Sequence, residues 1–73
     1  MTNADIILKY VAFHGGTLVR KEFMPWFESA YPNGSVRSMD TELRQMVAAG
    51  MLERIGYGQF RLCPDVKPQY SPI

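Results

Sequence analysis

Cysteine and histidine are nearly missing from this chain: Cys63 and His14 are single copies. One cysteine excludes an internal disulfide. No basic-then-apolar leader precedes Asp5, so secretion has no support and a reducing, intracellular (cytoplasmic) compartment is expected. Neither His14 nor Cys63 has an acid or base beside it in sequence, and a metal centre needs three or four ligands at recognisable spacing. The expectation is therefore a protein that is not an enzyme, with no catalytic residue, no metal and no cofactor. Long apolar runs are missing too, since nothing approaches the roughly 18 uninterrupted apolar residues of a membrane span. Charge of one sign is also lacking. Eight Lys and Arg against seven Asp and Glu leave a formal charge of +1, which predicts weak non-specific binding and leaves the local placement of arginines to decide. Gly15-Gly16-Thr17 lacks the lysine and the preceding strand that a phosphate-cradling loop requires.

What is present suits one small folded domain. A chain of about 60 residues buries only roughly 60% of its unfolded surface, but nine aromatics within a 47% hydrophobic composition can still fill a core. The domain is read as 1–62, followed by a Pro-rich extended tail at 63–73 that contains Pro64, Pro68 and Pro72. Two readings of the tail stand: a polyproline-like end with a solvated backbone, or Val66, Tyr70 and Ile73 packed across the first helix or onto a second subunit.

The stretch from Ser35 to Leu62 is the most informative. Ser35 follows the turn cluster Pro32-Asn33-Gly34 and is suited to cap the orphan amides of a helix. Met39, Leu43, Met46 and Val47 recur at i, i+4, i+7 and i+8, which gathers them on one face. Arg37, Thr41, Arg44, Gln45 and Ala48 fall on the opposite face, with Ser38 at its margin. Gly50 can take the left-handed conformation that ends a helix. Beyond it, Leu52, Ile55, Phe60 and Leu62 are expected to be buried, and Glu53, Arg54, Gln59 and Arg61 to be polar and outward. Gly56 and Gly58 allow a tight reversal, with Tyr57 at the tip.

Upstream, a first helix begins near Asn3, capped by Asn3 or Thr2, with Asp5 near the positive end of the helix dipole, and ends at Gly15. Its expected core face is Ile6, Ile7, Tyr10, Val11, Phe13 and His14, with Leu8 and Ala12 on the other side beside Lys9. His14 reads as a structural, helix-terminal residue. In the second helix Phe23, Trp26, Phe27, Ala30 and Tyr31 keep helical spacing around Pro25, and most simply form core. Either this helix starts late, around Met24, or it runs from Arg20 and is kinked at Pro25.

The order helix, short extended piece, helix, turn, helix, hairpin resembles the winged helix-turn-helix family over roughly residues 3 to 62. Gly15-Gly16-Thr17-Leu18-Val19 stands as the short first strand. Leu43 through Arg54 stands as the third helix running into the wing, and Gly58-Gln59-Phe60-Arg61-Leu62 as the returning strand. The resemblance implies a mainly α fold with a small β-hairpin (α+β), a winged helix of three helices plus a short antiparallel wing. In such proteins the third helix usually enters the major groove and the wing touches the adjacent backbone. Carried onto this chain, Ser35, Arg37, Ser38, Thr41, Arg44 and Gln45 become candidate groove contacts, and Arg54, Tyr57 and Arg61 candidate wing contacts. Asp40 and Glu42 flank the reading face, where carboxylates oppose phosphate unless they accept a bond from a cytosine amino group.

Two functions follow as expectations. One is double-stranded DNA binding by a small transcriptional regulator: helix 36–49 reads bases, wing 51–62 meets the backbone, and Lys21, Arg54 and Arg61 neutralise phosphates. With so few basic residues such a regulator would act as a homodimer, formed through Leu8, Ala12 and the C-terminal tail, on a palindromic target. The other is a protein–protein interaction module on the same scaffold, whose partner is another protein and whose arginines are solvated or paired with Glu42 and Asp40.

Overall fold

Thr2 opens the first helix with a reciprocal cap: its side chain accepts from the Asp5 amide while the Asp5 carboxylate accepts from the Thr2 amide, both at 3.2 Å. In the computed structural model, which describes residues 2–63, the chain then runs α1 (Asn3–Phe13), β1 (Thr17–Val19), α2 (Arg20–Ala30), α3 (Val36–Ala48), β2 (Leu52–Gly56) and β3 (Gln59–Leu62). Three helices and a three-stranded antiparallel sheet, with β3 between β1 and β2, make a mixed α+β, winged-helix-like arrangement. Among the described residues no helix is long and apolar enough to cross a membrane. The expected packing of Val66, Tyr70 and Ile73 lies outside the described residues.

The α1 face is rotated from the expected one. Leu8 is 4% exposed and belongs to the core, whereas Phe13 is 49% exposed and His14 is exposed as well. The buried residues Ile6, Tyr10, Ile7, Val11 and Leu8 sweep roughly 200° of the helix at an ideal 100° step, because α1 packs against both α3 and β1. Lys9 and Phe13 share the remaining, exposed flank. Leu8 is therefore not the open surface expected of it, and Ala12 is half-exposed; the tail's expected share in a dimer contact lies outside the described residues. His14 closes α1, its imidazole stacked on Tyr10 at 3.8 Å and its Nδ1 2.7 Å from the Tyr10 carbonyl.

The α2 helix starts at Arg20 and runs through Pro25. Pro25 removes the donor that the Lys21 carbonyl would otherwise meet one turn on, and both residues are exposed, so water can take that place. No side chain caps α2. The Arg20 amide instead donates to the Gly58 carbonyl at 2.8 Å, so the wing turn itself satisfies an orphan donor of the helix. Phe23 and Phe27 are buried with Met24, while Trp26 remains 39% exposed at the edge of an aromatic group that includes Tyr10 and Tyr31.

Ser35 caps α3 by accepting from the Ser38 amide. Met39, Leu43 and Met46 are each no more than 2% exposed, with Val47 half-buried beside them. The helix ends on Gly50 at φ 78°, where the Gly50 amide donates to Val47 and the Met51 amide to Met46, the paired bonds that satisfy two terminal carbonyls.

In the sheet, Leu52 opposes Leu62, Glu53 opposes Arg61, and Arg54 opposes Phe60, which in turn opposes Leu18 of β1. One face thus carries Leu18, Phe60, Leu62, Leu52 and Arg54, and the other carries Thr17, Arg61 and Glu53. Ile55 was expected inside and is 48% exposed. The register shifts between Arg54 and Gly56, so Ile55 is the extra residue of a β-bulge on the sheet's edge strand and turns outward.

Candidate nucleic-acid interface

The solvent face of α3 follows directly from its core stripe. With Met39, Leu43 and Met46 turned inward, Arg37, Ser38, Thr41, Arg44 and Gln45 are all exposed. Ser35 is exposed at the cap, though its hydroxyl is engaged by Ser38, and the Thr41 hydroxyl donates back to the Arg37 carbonyl at 3.1 Å. Arg37, Arg44 and Gln45 therefore have the free polar ends of this face. Among the described residues Arg37, Arg44 and Lys21 enter no ion pair.

Asp40 flanks this face, and here the structure adds a residue that the sequence reading did not include. Arg20, at the start of α2, donates through Nε to Oδ1 and through Nη2 to Oδ2 of Asp40, both at 2.6 Å. Both carboxylate oxygens are engaged, so the negative charge expected to oppose phosphate is matched by a guanidinium. The hydrogen bonds from Arg20 hold the Asp40 carboxyl below the usual carboxylate range, outweighing the opposing effect of partial burial, with the charges of Arg20 and Arg44 acting in the same direction. The same pairing raises Arg20. Glu42 lies at the other margin of α3, half-buried.

The wing residues divide between two faces. Arg54 shares the inner face with Phe60, and its guanidinium lies 5.9 Å from the centre of the Tyr57 ring, with Nε 3.4 Å from the Gly56 carbonyl. Tyr57 is 93% exposed at the tip. Arg61 is on the outer face, paired with Glu53 directly across the strands at 2.7 Å. Arg44, Arg54 and Tyr57 line one cleft between α3 and the wing, joined there by Arg20 and Asp40. Lys21 and Arg61 are not part of it.

No family model, curated protein or solved structure matches this chain.

Guanidinium and amide groups on a helix can donate to base edges, and those on a wing can meet phosphate. Among the described residues no group of three or more His, Cys, Asp or Glu is gathered that could hold a metal ion.

Proposed function

We propose that this protein binds double-stranded DNA as a winged-helix module of a transcriptional regulator, with α3 in the major groove and the β2–β3 wing on the adjacent backbone. The observation that carries the reading is the pairing of Asp40 with Arg20 beside a face that exposes Arg37, Arg44 and Gln45. Without that pairing, a carboxylate would stand one turn from Arg44 and cancel its attraction for phosphate. Arg37, Arg44 and Gln45 carry base contacts in this reading, Arg54 and Tyr57 the wing contacts, and Lys21 a phosphate contact from α2. Arg61, held by Glu53 on the outer face, is left out.

Titration against random and enriched duplexes at two salt concentrations tests this. About three to five phosphate contacts predict a slope of log affinity against log salt of roughly −2.7 to −4.5. An affinity that does not change with salt, or no binding at low salt, would overturn the proposal. The exposed Ile55 and Tyr57 at the wing edge favour the other reading, a protein partner gripped through apolar contact. Such a contact would hold its affinity as salt rises.

A further inference from the structure

The cleft between α3 and the wing has a volume of about 560 Å³, within the roughly 300–1,000 Å³ of small-molecule sites. Its floor is apolar. Leu43 is 2% exposed, and Val47 and Phe60 are half-buried around it. Its sides are cationic: three arginines, Arg20, Arg44 and Arg54, face the single carboxylate of Asp40, a surplus of two positive charges. Because Arg20 takes both oxygens of Asp40, that surplus sits on Arg44 and Arg54. Tyr57, exposed at the rim, adds an aromatic side chain to the lining, with the Arg54 guanidinium 5.9 Å from its ring centre.

A ligand that satisfies all three features is flat, apolar over most of its area, and anionic at one end. We propose that this cleft binds a small aromatic carboxylate, its ring over Leu43, Val47 and Phe60 and its carboxylate between Arg44 and Arg54. An inorganic anion would leave the apolar floor unused, and a neutral aromatic would leave the two guanidinium groups without a counter-charge. The ligand also occupies Arg44, which the DNA-binding reading needs at a base edge. Ligand and DNA therefore exclude each other, and this second step rests on the function proposed above.

The test uses the whole chain, isotopically labelled, in amide chemical-shift titrations with three probes: 2-naphthoate, the uncharged 2-naphthylmethanol, and inorganic phosphate. Naphthoate is expected to saturate, to shift the amides of Arg44, Val47, Gly58 and Phe60, and to bind at least tenfold more tightly than either control. Replacing both arginines (Arg44→Gln, Arg54→Gln) should weaken naphthoate at least tenfold while the remaining spectrum keeps its folded dispersion. Shifts that do not saturate, equal binding of the alcohol or of phosphate, perturbations centred elsewhere, or a double variant that binds as well as the parent would each overturn the site. Naphthoate at ten times its dissociation constant should raise the apparent DNA dissociation constant about tenfold by competition. The shift titrations contain no DNA, so a failure to bind DNA leaves the cleft result standing, and DNA binding that naphthoate does not disturb removes only the exclusion.

Discussion

The Phe27 ring lies so close to Gly34 that a Cβ built on the glycine would stand 2.5 Å from the ring's Cζ and 3.1 Å from the Tyr31 carbonyl oxygen. Phe27 is 2% exposed, so the ring has nowhere to retreat. The turn between α2 and α3, which sets how the two helices meet, thus depends on the missing side chain. Replacing Gly34 by alanine is expected to cost about 1–3 kcal/mol, the usual range for overpacking. Urea unfolding should show the midpoint falling with an unchanged slope; an unaltered midpoint would mean that the turn adjusts without cost.

Leucine 8 and phenylalanine 13 provide an opposed pair on α1. Leu8→Ala should cost about 2–5 kcal/mol, as for a buried leucine, because Leu8 is 4% exposed within the core. Phe13→Ala should cost far less, since nearly half of that ring already meets solvent. Thermal unfolding of both variants decides it, and a reversed order would restore the face on which Phe13 points inward.

Acid should weaken the link between α2 and α3. The Asp40 carboxyl is held below its ordinary range by the Arg20 hydrogen bonds, so the folded state binds this proton less readily than the unfolded one. The stabilisation is present in full above the ordinary carboxylate pKa and is lost as pH falls through the lowered value. Both partners are partly exposed, at 45% and 31%, which limits the pair to under about 1 kcal/mol. Asp40→Asn should remove this part of the acid limb of the stability curve, read by unfolding at stepped pH.

Arg44 and Arg61 should separate in a binding assay. Arg44→Ala is expected to cost about 1–3 kcal/mol of specific DNA affinity if it reads a guanine edge. Arg61→Ala should leave affinity nearly unchanged, because that guanidinium is on the outer sheet face and committed to Glu53. Fluorescence anisotropy on one duplex, at one salt concentration, compares them directly. Equal losses would bring the sheet's outer face to the DNA as well as α3.

The local signals were legible in the sequence because they act within a turn or two of backbone. The Ser35 cap, the Met39–Leu43–Met46 stripe, the stop at Gly50 and the reversal between Gly56 and Gly58 each arise from residues a few positions apart. They sufficed to place three helices and a wing in order, and to turn Arg37, Arg44 and Gln45 outward. Partners distant along the chain decided the rest. Arg20 meets Asp40 across twenty positions, and no periodicity encodes that meeting. The burial of Leu8 depended on α1 being packed on two sides, and the exposure of Ile55 on a register shift set by the neighbouring strand. Helical and strand periods tell which residues share a face. How many sides of an element are covered, and which charge on one element answers a charge on another, is settled only when the elements pack.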